Sequence, residues 1–254
     1  MILVIVLLIL IAILIIIIRE YWHLHSVNPT TDILLAGAPD KDQLDLMVKD
    51  GYPIIITDKI QDNLSLKDLA LKIPEKEITY SYKTKAGENT IKMKDIEKYK
   101  EDILLFKNTE LTKEANINPI INTILSGFDR RFVYYPETNI YSHIVSKDTR
   151  IPLRKNTEDT NIIIVMEGYI KVFLVSPLYN ENLYEVAGTT PIDIWDPDND
   201  KKYPKYSKTK IASDNVHEKE ILYIPPKWWY AIYSPGTSYL VQVQRENILS
   251  QYIK

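Results

Sequence analysis

Residues Ile221–Tyr230 read Ile-Leu-Tyr-Ile-Pro-Pro-Lys-Trp-Trp-Tyr, and this stretch decides the fold class. Glu220–Ile224 is a short apolar run closed by a proline pair, which cannot donate to a sheet ladder, so the strand stops there. It restarts at once. Trp228–Ser234 (WWYAIYS) and Ser238–Val243 (SYLVQV) are further runs rich in aromatic and β-branched residues. Upstream lie Asn161–Met166 (NIIIVM) and Tyr169–Val175 (YIKVFLV), separated by Glu167-Gly168, which reads as a compact hairpin turn. Short apolar runs parted by turn clusters, from about Phe132 to Val243, have the rhythm of an antiparallel barrel or sandwich. A double-sheet jelly roll accounts for all of them.

Composition narrows the rest. The chain has 254 residues, 31 basic and 34 acidic, for a net charge of −3, and no basic cluster dense enough for a nucleic-acid footprint. Nucleic acid is therefore not an expected partner. There are no cysteines, which excludes disulfides and thiolate metal sites. Enrichment in Ile, Lys, Asn and Tyr is the bias of an AT-rich genome, such as that of a large DNA virus.

Met1–Ile18 contains no polar residue, and 16 of the 18 are Ile, Leu or Val. As a helix it would extend about 27 Å, close to the hydrocarbon thickness of a bilayer. Each aliphatic residue contributes about −0.3 to −0.6 kcal/mol at the membrane centre, so insertion is favourable by several kcal/mol. A cleaved signal peptide would need a basic leader and a small-residue cleavage site, which are absent here. The expectation is a single-pass anchor at residues 1–18 and a stalk at 19–36. Arg19 on the C-terminal flank places the remaining domain on the cytosolic side by the positive-inside tendency, and Tyr21 and Trp22 suit an interfacial belt. His23 and His25 read as solvated stalk. A sequon at Asn63-Leu64-Ser65 would be usable only in a lumen.

Residues 37–130 read as an α+β cap. Asp40–Asp50 has helical apolar spacing with Asp40 as N-cap and Gly51 as stop, and Pro53–Thr57 (PIIIT) is a strand covered on both faces. Ser65–Leu71 is a second capped helix, Ile78–Lys83 a strand, Met93–Glu101 a surface helix, and Pro119–Leu125 a helix ending near Gly127. Residues 131–254 would form the β core.

Beyond these patterns the chain resembles the cupin-like hydroxylases related to the Jumonji C family. The likeness is carried by Gly51–Thr57, Thr149–Leu153 (TRIPL), Gly168-Tyr169 with Ser176-Pro177, Ile192–Trp195, Tyr203–Tyr206 (YPKY) and Ile221–Tyr230. It implies a cupin-type double-stranded β-helix, in a mainly β chain with the α+β cap and the N-terminal helix added. Relatives close the last of these segments on a histidine that binds iron, where this chain has Tyr230. Their His-x-Asp slot falls on Arg154-Lys155-Asn156, or on Lys155 and Thr157 one residue later. The lysine that holds the co-substrate carboxylate corresponds to Ile170, with Lys171 on the opposite face of the strand.

A facial triad needs two histidines and a carboxylate. A guanidinium has no lone pair to offer, and at about 4 Å from a divalent ion it costs roughly 8 kcal/mol at an effective dielectric near 20. Arg154, Asn156, Ile170 and Tyr230 thus stand as vestigial active-site positions, with no catalytic residue, metal or cofactor expected. Arg154 is expected to reach into the old iron cavity and to pair with a carboxylate or stack on Tyr230, making a plug or an anion pocket. Trp228, Trp229 and Tyr233 are candidate pocket-lining aromatics. His143 and His217, with Glu158, Asp159 and Asp214 as nearby carboxylates, show no spacing that would rebuild a metal site, and read as surface or loop histidines. The function expected is a membrane-anchored, non-catalytic cupin-like module binding a protein partner, in a viral setting at a virion membrane or capsid. The alternative is an iron and 2-oxoglutarate dependent protein hydroxylase with an atypical ligand set.

Overall fold

The computed structural model describes residues 2–25, 30–58, 60, 65–82, 88–100, 103–115, 117–128 and 135–247. Phe132 and the sequon residues Asn63 and Leu64 lie outside these, as do the side chains of Tyr21, Trp22, His23 and His25.

Helix α1 (Ile2–His25) contains an 18-residue stretch, Ile2–Arg19, that is long and apolar enough to cross a membrane and has none of its surface buried by the rest of the chain. After it come β1 (Leu34–Gly37), α2 (Lys41–Lys49), β2 (Ile54–Thr57) and α3 (Leu66–Lys72). Then follow β3 (Glu77–Tyr82), β4 (Glu88–Lys92), α4 (Ile96–Tyr99), β5 (Ile103–Asn108), α5 (Thr109–Ala115) and α6 (Asn118–Phe128). The second half comprises β6 (Glu137–Val145), β7 (Thr149–Lys155), β8 (Thr160–Glu167), β9 (Tyr169–Val175) and the short α7 (Asn199–Lys202). It ends with β10 (Ile211–His217), β11 (Ile221–Ile224), β12 (Trp229–Ser234) and β13 (Ser238–Glu246).

Two sheets face each other. One has nine strands in the order β1-β2-β11-β8-β13-β6-β5-β3-β4, and the other four in the order β10-β9-β12-β7. The period of two along each strand assigns the layers. In β8, Ile163 and Val165 point between the sheets, where they meet Val172 and Leu174 of β9 and Tyr230 and Ile232 of β12. Ile162, Ile164 and Met166 point the other way, into a second core with Leu44 and Val48 of α2, Leu66 and Leu69 of α3, and Ile121 and Ile124 of α6. Complete burial of an aliphatic side chain of this size is worth about 1.5–3 kcal/mol, so both faces of the large sheet contribute heavily to stability.

Local signals set the helix starts. Asp40 and Ser65 each close a capping box, satisfying first-turn amides that would otherwise lack partners. Of Met93–Glu101, expected as a surface helix, Met93 and Ile96 are fully buried in the helix-side core, and Glu101 lies outside the described residues. Residues 34–36, expected in the stalk, belong to the strand Leu34–Gly37, which pairs in parallel with β2.

The Glu167-Gly168 turn does not make a hairpin. β8 pairs with β11 and β13, whereas β9 pairs with β10 and β12, so this turn carries the chain from one sheet to the other. Gly168 sits at φ +81°, and a Cβ there would lie 2.5 Å from the Thr237 carbonyl oxygen. Only glycine fits so close a crossing.

The outer face of the four-stranded sheet is covered by the segment between β9 and β10. Leu183, Ile192, Trp195, Tyr203 and Tyr206 pack there on Leu153, Val175 and Trp229.

Candidate functional site: a cationic cavity between the sheets

Arg154 stands opposite Tyr230 where β7 pairs with β12, beside a register shift in that ladder. Together with His143, Gln242, Phe106 and the aliphatic groups of Ile151, Ile163, Ile232 and Leu240, they enclose a cavity of about 10 Å³. That is room for about one water.

The guanidinium carbon of Arg154 lies 5.0 Å from the Phe106 ring centre and 5.9 Å from that of Tyr230. Both distances suit cation–π attraction. The expected stacking on Tyr230 is present. The carboxylate partner is not: among the described residues no Asp or Glu forms an ion pair with Arg154. Phe106, 39% exposed, lies across the opening, edge-on to His143 at 4.6 Å.

His143, expected at the surface, is 3% exposed. It sits on β6 opposite Leu240 of β13, and alternation turns it between the sheets with Val145. Its Nδ1 accepts the Lys107 backbone N–H at 3.3 Å, which leaves the proton of the neutral ring on Nε2. Nε2 is buried with no hydrogen bond. Burial, then the Arg154 and Lys107 charges, push its pKa from 6.5 to about 3, although nearby Gln242 acts in the opposite sense. Nothing within bonding geometry satisfies Nε2, so we read the Gln242 contact as weak.

Asn156, just beyond β7, behaves differently. It is 2% exposed, and its amide nitrogen donates to the carbonyl oxygens of Glu158 at 3.1 Å, Ile224 at 3.0 Å and Pro225 at 2.9 Å. Its Oδ1 accepts from Asn161 Nδ2 at 3.1 Å and from the Glu158 N–H at 3.2 Å. The backbone adds bonds to Trp228 and Lys227, so Asn156 clamps the Pro225-Pro226 turn. The network continues inward: Gln242 Nε2 donates to Asn161 Oδ1 at 2.8 Å and to the Tyr230 hydroxyl at 3.5 Å.

Ile170 is fully buried between the sheets, while Lys171 lies on the opposite face with its ammonium 5.4 Å from the Phe173 ring centre. The aromatic candidates do not line the cavity. Trp228 packs elsewhere in the inter-sheet core. Trp229 faces outward and donates its indole N–H to Asn180 Oδ1 at 2.8 Å. Tyr233 donates its hydroxyl to Asp148 at 2.8 Å on the exposed side. One residue of alternation separates Trp229 from Tyr230 and Tyr233 from Ile232, whereas Trp228 shares the inter-sheet side with Tyr230 but lies before β12 begins.

Three cavity residues were not singled out as site members by sequence. Gln242 carried a signal, being the polar residue at an inward position of SYLVQV. His143 carried a weaker one, in the alternation of Tyr141–Val145. Phe106 carried none, because nothing local shows that β5 joins the large sheet beside β6.

An iron centre of the Jumonji C kind does not fit these residues. Arg154 supplies a cation, Tyr230 a neutral phenol, and the amide nitrogen of Asn156 is spent on three carbonyls. Among the described residues no three His, Asp or Glu side chains converge to hold a metal. His217 is exposed and stacks on Tyr169, and Asp159 accepts from Asn247, both away from His143.

Residues 128–248 match the Cupin-like domain family, just under half of the chain. The chain is also 30% identical over 86 residues to Jumonji C domain-containing protein 5 of Drosophila melanogaster, covering 32% of this chain and 21% of the fly protein. The chain therefore spans about a fifth of that relative. Both comparisons, together with the two facing sheets, support a relation of residues 128–248 to the cupin and Jumonji C-related family.

Proposed function

We propose that this protein is a membrane-anchored pseudoenzyme, a cupin-like module that has given up iron chemistry and serves as a rigid binding or structural unit beside a bilayer. The observation that carries it is the Arg154 guanidinium lining the inter-sheet cavity, at a position that the resemblance aligns with the slot from which Jumonji C relatives ligate iron. A permanent cation there opposes a divalent ion, and the fixed hydrogen bonds of Asn156 keep that residue in an architectural role. The unburied apolar stretch Ile2–Arg19 supports the anchor, and Arg19 supports a cytosolic domain. A protein partner at a virion membrane or capsid suits an anchor joined to a rigid barrel.

The test is the metal content and turnover of the full chain purified in detergent from iron-supplemented cells. The expected result is less than a tenth of an equivalent of iron and no succinate formed from 2-oxoglutarate. An equivalent of iron with 2-oxoglutarate turnover overturns the reading in favour of a hydroxylase. Carbonate extraction checks the anchor: the full chain stays with membranes, and a chain lacking residues 2–18 is released.

A further inference from the structure

We propose that the Arg154 cavity is a binding site for a monatomic anion, with chloride the physiological halide. This rests on the reading of the cavity as a site that excludes cations. Three of the polar groups lining it offer donors, and Gln242, whose Nε2 is engaged by Asn161 and Tyr230, adds one amide oxygen. Arg154 brings guanidinium N–H groups with no carboxylate among the described residues. His143 brings the Nε2–H that the Lys107 N–H, bonded at Nδ1, leaves protonated and that has no acceptor. The Tyr230 hydroxyl accepts from Gln242 at 3.5 Å, which leaves its own proton to give. Three donors of different kinds, one of them a fixed cation, outnumber the single Gln242 amide oxygen, an arrangement complementary to an anion.

Size selects the class. A cavity of about 10 Å³ takes one occupant of water-like dimensions. A carboxylate or phosphate ester would have to displace Phe106 and part of the aliphatic wall. A water molecule matches the volume, but it brings no counter-charge to the half-buried guanidinium beside Ile151, Ile163, Ile232 and Leu240. The quadrupole of Phe106 does not oppose this: its positive edge can meet the anion while its face meets Arg154.

The test is the thermal midpoint of the full chain in detergent, with gluconate replaced stepwise by chloride and then bromide at constant ionic strength. The expected result is a saturable rise of about 3–6 °C at a tenfold excess over Kd. R154M abolishes that rise, and H143F weakens it. A bromide-soaked crystal then shows one anomalous peak in contact with both Arg154 and His143 Nε2. A linear dependence shared by wild type and R154M overturns the proposal, as does bromide found only at other surfaces. If R154M does not fold, R154Q serves the same comparison. Metal in the cavity would instead overturn the pseudoenzyme reading; an absence of both metal and halide overturns only this inference.

Discussion

Arg154 and Asn156 stand two residues apart where β7 ends, and their surroundings are opposite in kind. Asn156 makes five side-chain hydrogen bonds and clamps the Pro225-Pro226 turn. Arg154 lies over two aromatic rings with its charge unpaired among the described residues. One side chain is architecture, and the other is a charged cavity wall. Each buried polar group must find partners or be replaced.

The contrast is broken most forcefully at Asn156. Asn156→Ala leaves three carbonyl oxygens without their donor, at about 1 kcal/mol or more each, so a loss of about 3–4 kcal/mol and a midpoint roughly 10 °C lower is expected in thermal unfolding. Asn156→Asp is no milder, because it turns a carboxylate oxygen toward those same carbonyls. A wild-type midpoint in either variant would show that the clamp is not structural.

Next in size is the pH response of His143. The unfolded imidazole takes up a proton near pH 6.5 and the folded one only near 3, so between those values the unfolded state binds more protons and stability falls as pH drops. From pH 6.5 to about 5 this amounts to roughly 2 kcal/mol, which His143→Leu removes from the urea-unfolding profile. Equal acid slopes in wild type and variant would place the ring outside the buried cavity.

The smallest effect is expected at Arg154 itself. In chloride-free buffer Arg154→Met changes stability by no more than about 1 kcal/mol in either direction, since an apolar side chain replaces a charge that no carboxylate balances. A loss as large as that at Asn156 would erase the contrast between the two positions.

Much of this arrangement is legible in the chain. The runs Asn161–Met166, Tyr169–Val175 and Trp228–Ser234 announce strands because their β-branched and aromatic content and their bounding turns are local properties. Asp40 and Ser65 announce helix starts for the same reason. What the sequence conceals is partnership. Glu167-Gly168 reads as a hairpin, yet the two strands belong to different sheets, because ladder partners are chosen by distant strands such as β13. His143 reads as a loop residue, yet it is buried, because its burial depends on β5 pairing with β6. Arg154 and Tyr230 were recognisable as altered positions, but the cavity they share also needs Phe106, which only the assembled sheet brings to its mouth.

The most direct measurement is a manganese titration of the full chain followed by electron paramagnetic resonance of the free aqueous ion. A guanidinium in place of the ligands predicts that the free-ion signal stays undiminished through one equivalent of Mn(II). Its stoichiometric disappearance in wild type, reversed by Tyr230→Phe, would contradict the account.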